Sequence, residues 1–142
     1  MRADNTSNGA VNRACTDKNG ERMSRPRVLV VEDERVVSFL LTRTLEAAGY
    51  SVTATMDGLD ALDIGLNEDF DLVLLDQRIP GLLGLEGLQR WKAAGREFPV
   101  IMVSGITGEA DVISALEVGA VDYIRKPFSI QEVLARVKVR LR

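Results

Sequence analysis

Residues 72–76 read Leu-Val-Leu-Leu-Asp, an apolar run that ends in one carboxylate, Asp76, directly before the loop Gln-Arg-Ile-Pro-Gly of residues 77–81. A short apolar run bounded by a turn signal is typical of a strand that is buried on both faces of a sheet. In an α/β sheet, the chemistry lies at the carboxyl ends of such strands. The position of Asp76 therefore makes it a candidate functional residue.

Three other segments with a strand-like pattern lead into polar residues in the same way. They are residues 28–31 (Val-Leu-Val-Val), residues 100–103 (Val-Ile-Met-Val) and residues 123–125 (Tyr-Ile-Arg). If the strands are parallel, their carboxyl ends lie at one edge of the sheet, and the residues that follow them converge there. Those residues are Glu32, Asp33 and Glu34 after the first run, Ser104 and Gly105 after the second, and Lys126 and Pro127 after the third.

From residue 27 onward, strand patterns alternate with helical patterns. Predicted strands cover residues 28–31, 51–54, 72–75, 100–103 and 123–125, and a helical period follows each of them. This alternation predicts an α/β fold, a doubly wound parallel sheet in a three-layer sandwich. Asp57 is expected to cap the second helix, and Ser129 with Glu132 has capping-box spacing at the start of the fifth. Val112, Ile113 and Leu116 are expected to face inward from the fourth helix.

The first 24 residues differ in composition from the rest of the chain. They are rich in Asn, Ser, Thr, Asp, Arg and Gly and have almost no large apolar side chains, which predicts a disordered N-terminal tail. An upstream extension without a role of its own is the plainer interpretation of this tail. A chain of 142 residues holds about one domain, which we place at residues 25–142.

Composition excludes several classes of site. Cys15 is the only cysteine and the chain has no histidine, so a disulfide framework is ruled out and a zinc site would lack its usual ligands. A net charge of -3 argues against direct nucleic-acid binding by this domain. No stretch approaches the roughly 20 apolar residues of a membrane helix. We therefore expect a cytoplasmic protein with no membrane partner.

The acids at the strand ends favour a metal site. Clustered carboxylates repel each other unless a cation joins them, and oxygen ligands without His or thiolate favour Mg²⁺. Asp33 and Asp76 are the first expected ligands, Glu32 is close behind, and the backbone carbonyl of Arg78 completes the expected shell. Taken alone, Asp33 could instead cap the helix that follows it.

An aspartate beside a bound cation can attack a phosphoryl group and form an aspartyl phosphate. Asp76 is the expected nucleophile. The Lys126 ammonium would pair with the phosphoryl oxygens, and the Ser104 hydroxyl would donate a hydrogen bond to another of them. Gly105 would leave room for the incoming group.

Together these segments resemble the receiver domain of bacterial two-component response regulators, the CheY-like family, over residues 27–142. The resemblance rests on Val-Leu-Val-Val-Glu-Asp-Glu (28–34), Leu-Val-Leu-Leu-Asp (72–76), Val-Ile-Met-Val-Ser-Gly (100–105) and Gly-Ala-Val-Asp-Tyr-Ile-Arg-Lys-Pro-Phe (119–128). It implies a flavodoxin-like (βα)5 fold with strand order 2-1-3-4-5. It also implies a Mg²⁺ cofactor, a phosphoacceptor at Asp76, an acidic metal pair at Glu32 and Asp33, phosphoryl-sensing side chains at Ser104 and Lys126, and a cis peptide bond between Lys126 and Pro127.

The family resemblance further implies a switch. Asp76 would take a phosphoryl group from a phosphohistidine of a sensor histidine kinase or a histidine phosphotransfer protein, with self-phosphorylation and slow self-dephosphorylation as its only catalysis. Ser104 would move toward the phosphoryl group and Tyr123 would turn inward. This would change the face formed by the fourth helix, fifth strand and fifth helix (the α4-β5-α5 face), which would contact an output domain, an effector protein or a second copy of the chain.

Departures from the family pattern bear on regulation and on oligomeric state. Glu32 stands where many members have Asp. Arg78 and Ile106 lie where side chains control access of hydrolytic water, and we expect Ile106 to lengthen the phosphoryl lifetime. Val112 and Val121 replace residues that are often charged in regulators of the winged-helix class, which argues against that class's symmetric dimer.

Three other functions are compatible with an α/β fold that carries acids at its strand ends. A Mg²⁺-dependent aspartate phosphatase needs an acid at position 78, where this chain has Arg. In a flavin carrier, the cluster of Glu32, Asp33 and Glu34 would repel the flavin phosphate. A degenerate receiver would be a phosphorylation-independent protein-interaction module, although the complete set of acids, Ser and Lys argues against it. The cognate kinase, the signal and the output are not encoded in these patterns.

Overall fold

A five-stranded parallel sheet forms the centre of the structure, a computed structural model that describes residues 15–16, 22–23, 25–105 and 109–142. The strands are β1 (Arg27–Val31), β2 (Ser51–Thr55), β3 (Leu72–Asp76), β4 (Val100–Ser104) and β5 (Asp122–Arg125). Their order is 2-1-3-4-5, and every neighbouring pair is parallel. The predicted flavodoxin-like fold is confirmed.

Five helices cover the two faces of this sheet. They are α1 (Arg35–Ala47), α2 (Gly58–Asn67), α3 (Gly84–Ala93), α4 (Glu109–Val118) and α5 (Ile130–Leu141). Helices α1 and α5 cover one face, while α2, α3 and α4 cover the other. The domain is thus the predicted three-layer sandwich.

Alternate residues of the inner strands supply two separate hydrophobic cores. In β3, Val73 and Leu75 pack beneath α2, α3 and α4, whereas Leu72 and Leu74 pack beneath α1 and α5. All five residues of β3 are buried, Asp76 included. Burial on both faces explains why these strands have continuous apolar sequences rather than alternating ones.

Helix α4 differs from its predicted orientation. Ile113 and Leu116, expected to face inward, are each 45% exposed, while Ala115 is 1% exposed. Val112 is half-buried. Two apolar stripes one residue apart share the helical period, and the shorter Ala115 side chain allows the helix to lie close to its neighbours. Ile113 and Leu116 therefore form an exposed apolar stripe on α4.

The predicted helix starts agree with the structure at two positions. The side chain of Asp57 accepts a hydrogen bond from the Asp60 N–H at 3.0 Å, and that of Ser129 accepts one from the Glu132 N–H at 3.0 Å. Helix α1 begins differently, because its N-cap residue is Glu34 and not Asp33. Asp33 is therefore not the cap of this helix.

Two short antiparallel pairs were not predicted. Arg78–Ile79 pairs with Leu82–Leu83 in the loop after β3, and Cys15–Thr16 pairs with Arg22–Met23 inside the segment expected to be a disordered tail. The remaining residues of that segment, and with them the predicted boundary at residue 24, lie outside the described residues. Among the described helices, none is long and apolar enough to span a bilayer.

Candidate functional site

The strand ends that carry the polar residues lie together at one edge of the sheet. Val31 at the end of β1 pairs with Leu75, and Asp76 pairs with Val103, which directly precedes Ser104. Ser104 in turn pairs with Arg125, the residue before Lys126. Parallel register thus brings Glu32, Asp76, Ser104 and Lys126 to the same edge, although up to 94 residues separate two of them.

Three carboxylates at this edge form a compact acidic cluster. One oxygen from each of Glu32, Asp33 and Asp76 lies within 4.8 Å of the other two. Glu32 is 2% exposed and Asp76 is 4% exposed, whereas Asp33 is exposed to solvent. The donor set consists of oxygen alone and is partly open, which fits a hard divalent cation such as Mg²⁺. The predicted contribution of the Arg78 carbonyl to this site stays a prediction.

Lys126 connects the two buried acids. Its Nζ lies 3.0 Å from Glu32 Oε1 and 3.0 Å from Asp76 Oδ2. A third carboxylate, Glu34, has its Oε1 3.2 Å from the same nitrogen. The ammonium therefore offsets part of the negative charge that burial of Glu32 and Asp76 would otherwise leave uncompensated.

Burial and charge change the proton affinity of these groups. Burial raises the pKa of the Glu32 carboxyl, and the neighbouring charge of Asp76 adds to the rise, although the Glu34 N–H and Lys126 oppose it. Burial lowers the pKa of the Lys126 ammonium, but its hydrogen bonds to Asp76 and Glu32 outweigh burial and raise that pKa overall. Lys126 is therefore fully protonated at neutral pH.

Hydrogen bonds in the loop after β3 position Asp76 and the residue that follows it. The Arg78 N–H donates a hydrogen bond of 2.9 Å to Asp76 Oδ1. The Gly84 N–H, at the start of α3, donates one of 2.9 Å to the Gln77 carbonyl. A Cβ at position 84 would lie 2.6 Å from the Asp76 carbonyl oxygen. Only glycine therefore allows α3 to begin this close to the end of β3.

The remaining predicted residues lie on β4 and β5 and directly after these strands. Ser104 is fully buried, and its carbonyl accepts a hydrogen bond of 2.8 Å from the Lys126 N–H. Tyr123 is half-buried on β5 and packs against the core beneath α4. The Lys126-Pro127 peptide bond is cis. A Cβ at Gly105 would meet no described atom within 4 Å, and Ile106 lies outside the described residues.

Sequence reasoning did not assign two of the residues at this site. Glu34 was noted only as part of the acidic run, and its contact with Lys126 joins parts of the chain 92 residues apart. Gly84 carries no functional group, and its role follows from the approach of α3 to β3. The sequence signal for this role is a glycine near the start of the predicted third helix, shortly after Asp76.

Comparison with known proteins identifies the same region. The response regulator receiver domain family matches residues 28–138. The chain is 41% identical over 120 residues to the uncharacterized transcriptional regulatory protein YkoG of Bacillus subtilis (strain 168), covering 84% of this chain and 53% of that protein. It is 42% identical over 116 residues to the transcriptional regulatory protein DltR of Streptococcus agalactiae serotype III (strain NEM316), covering 82% of this chain and 52% of that protein.

A solved structure agrees with these sequence matches. The receiver domain of the Francisella response regulator 1452 is similar, with a TM-score of 0.78 and 30% identity, over 82% of this chain and 96% of that one. The chain spans about half the length of the curated relatives it matches.

Proposed function

Because the chain belongs to the response regulator receiver domain family, we propose that Asp76 is its phosphoacceptor, which takes a phosphoryl group from a phosphohistidine of a partner protein. One observation carries this proposal. Asp76 is a buried carboxylate at a strand end, beside two further acids and 3.0 Å from the ammonium of Lys126. An anionic nucleophile in such surroundings can approach an anionic phosphoryl group without full charge repulsion.

The acidic cluster supports binding of Mg²⁺. Glu32, Asp33 and Asp76 would hold the cation, with the Arg78 carbonyl as a further ligand. When bound, the cation neutralises charge on the carboxylates and on the phosphoryl oxygens. Its binding would also offset the cost of keeping Glu32 ionised while 2% exposed.

The transfer needs one bond to form and one to break. A carboxylate oxygen of Asp76 bonds to phosphorus while the bond between phosphorus and the donor's histidine nitrogen breaks. Lys126 donates to the transferred phosphoryl oxygens as a point charge, and the Ser104 hydroxyl donates to another of them. The only catalysis in this proposal is self-phosphorylation at Asp76 and slow self-dephosphorylation there.

The signal leaves through the α4-β5-α5 face. Movement of Ser104 toward the phosphoryl group frees space beneath Tyr123, which turns inward and changes that face. The exposed stripe of Ile113 and Leu116 on α4 supports this surface as the contact for an output domain, an effector protein or a second copy of the chain.

The rest of the pathway follows from the receiver role. A sensor histidine kinase or a histidine phosphotransfer protein supplies the phosphoryl group. Because such donors carry their phosphohistidine in the cytoplasm, we place the domain there. The curated relatives named as transcriptional regulatory proteins are about twice as long as the matched region, and we propose that an output of this kind lies outside the receiver domain. The net charge of -3 agrees with a receiver that does not itself bind DNA.

Intact-mass spectrometry tests the proposal. The domain is incubated with acetyl phosphate and Mg²⁺, and compared with Asp76→Asn, with a sample in EDTA, and with Asp63→Asn, which removes an exposed carboxylate on α2. We expect one phosphoryl adduct in the wild type and in Asp63→Asn, and none in Asp76→Asn or without metal.

An adduct that persists in Asp76→Asn would move the phosphoacceptor to another residue. No adduct in the wild type, together with no binding of beryllofluoride, would favour the phosphorylation-independent interaction module instead.

A further inference from the structure

All three hydrogen-bond donors of Lys126 are in use. An ammonium group has three N–H donors and no acceptor. In this domain they face Glu32, Asp76 and Glu34 at 3.0, 3.0 and 3.2 Å from Nζ. A phosphoryl oxygen can bind Lys126 only if one of these carboxylates releases it.

The exposed fraction of each side chain indicates which carboxylate gives up its contact with Lys126. The side chains of Glu32 and Asp76 are 2% and 5% exposed, whereas that of Glu34 is 62% exposed. Breaking a buried ion pair leaves an uncompensated charge inside the protein, while a solvent-exposed pair contributes little and its carboxylate is readily hydrated. Before the bond to Asp76 forms, Glu34 is therefore the partner that an incoming phosphoryl group displaces from Lys126.

The backbone position of Glu34 supports a dedicated role for its side chain. Glu34 is the N-cap of α1, with extended backbone angles of φ -84° and ψ 113°, but its side chain makes no capping hydrogen bond. Residues with short side chains such as Ser, Thr, Asp and Asn are preferred at this position because they bond to the helix N–H groups. Here the longer side chain extends to Lys126 instead.

Glu34 also sets the charge at the site's entrance. Glu32, Asp33, Glu34 and Asp76 place four carboxylates against the single ammonium of Lys126. A bound divalent cation would leave this group with net negative charge, and loss of the Glu34 carboxylate would remove it. An exposed charge of this kind acts on small ions in solution through long-range electrostatics.

We propose that Glu34 is a positioning residue that selects against small anionic phosphoryl donors: its carboxylate competes with the phosphoryl group for Lys126 and repels free anions at the entrance. This inference rests on the proposed function of Asp76. A protein donor is less affected, because contacts remote from its phosphohistidine hold it at the site.

Phosphorylation rates of Glu34→Ala and Glu34→Gln test this inference. The initial rate of adduct formation with Mg²⁺ is measured for acetyl phosphate and for phosphoramidate, which carries less net negative charge at neutral pH. Each measurement is made at low and at high ionic strength. Glu46→Gln is the matched control, since it removes an exposed carboxylate from the same helix about 18 Å away, which is beyond the screening length of about 10 Å at about 0.1 M salt.

We expect the acetyl phosphate rate to rise about threefold to tenfold in Glu34→Ala at low ionic strength. The rise should be smaller in Glu34→Gln, because glutamine keeps an acceptor for Lys126. In Glu34→Ala, the rise should be smaller with phosphoramidate than with acetyl phosphate, and smaller at high than at low ionic strength. A purely structural role would not produce this dependence on donor charge and salt.

Equal rates in Glu34→Ala and the wild type, a slower rate in Glu34→Ala, or the same gain in Glu46→Gln would overturn the inference and leave the proposed function intact. A wild type that forms no adduct would instead overturn the proposed function, and this inference with it.

Discussion

Lys126 contacts acids that the chain sequence keeps far apart. Glu32 and Asp76 lie 94 and 50 residues before it, and both are almost fully buried. The ammonium stabilises two carboxylates that would otherwise repel each other in a medium of low dielectric constant. Lys126 does not fully offset the effect of burial, because the pKa of the Glu32 carboxyl stays above its ordinary value even with Lys126 in place.

The raised pKa of Glu32 predicts that the stability of the domain depends on pH. Burial first, and then the charge of Asp76, raise the folded-state pKa of Glu32 above its unfolded value. Folding therefore favours the protonated form, and stability is lost as the pH rises through the raised pKa. At neutral pH without metal, we expect Glu32→Gln to raise the Tm by a few degrees, which corresponds to about 1 kcal/mol in a domain of this size.

Thermal unfolding in EDTA at neutral and at acidic pH measures this effect. The advantage of Glu32→Gln should shrink as the pH falls below the ordinary pKa of a glutamate, because the wild-type carboxyl is then protonated in both states. A variant that is less stable than the wild type at neutral pH would mean that the ion pair with Lys126 outweighs burial.

At the scale of elements, the start of α3 determines how Asp76 is held. Helix α3 begins at Gly84, whose N–H bonds to the carbonyl of Gln77 next to Asp76. A methyl group there would lie 2.6 Å from the Asp76 carbonyl oxygen, so the helix and β3 would have to separate. The position of the phosphoacceptor candidate thus depends on a residue that carries no functional group.

We expect Gly84→Ala to lower the free energy of unfolding by about 1 to 3 kcal/mol, the usual cost of overpacking. Gly87→Ala in the same helix is the matched control. Its Cβ would have its nearest contact at 3.4 Å from the Leu82 side chain, and alanine favours a helix over glycine by about 1 kcal/mol. Urea unfolding of both variants provides the measurement. Similar stabilities in both would show that α3 moves without cost.

Helix α4 shows how an element's surface depends on its neighbours. Its apolar residues offer two stripes with the same period, and the structure buries Ala115 while Ile113 and Leu116 stay exposed. The sequence pattern predicted the helix itself but not the side that faces the sheet. An exposed apolar stripe of this kind suits a protein contact.

In the molecule as a whole, the site depends on the way the sheet aligns its strand ends. Two hydrophobic cores, one on each face, hold the five strands in register, and the register brings four strand ends to one edge. Any ligand that binds these strand ends only in the folded state must therefore stabilise the entire domain.

Mg²⁺ should show this coupling. At a concentration tenfold above its dissociation constant, it should stabilise the domain by about 1.4 kcal/mol, or raise the Tm by about 5 °C. Asp33→Asn should lose most of this increase. Glu97→Gln, which removes an exposed carboxylate at the opposite end of the sheet next to β4, should retain it. Differential scanning fluorimetry across a Mg²⁺ titration provides the test, and equal increases in both variants would contradict the assigned metal site.

Much of the fold and of the candidate site was predictable, because both depend on patterns of neighbouring residues. Continuous apolar runs such as residues 72–75 predict strands buried on both faces, and helical periods between them predict the crossovers. Parallel strands joined by right-handed crossovers leave few topologies, so the convergence of Glu32, Asp76, Ser104 and Lys126 at one edge also followed. The residue types at that edge then indicated a metal and phosphoryl chemistry.

Local patterns predicted the order of elements, the strand ends and the residues that meet there, because periodicity and turn residues act over a few neighbouring positions. Three features became known from the packed structure: Lys126 contacts Glu34, Gly84 lies against the backbone of Asp76, and α4 buries Ala115. These contacts depend on side-chain length, helix rotation and the distance between packed elements. Those quantities are set by the whole core at once, and no short segment of the chain encodes them.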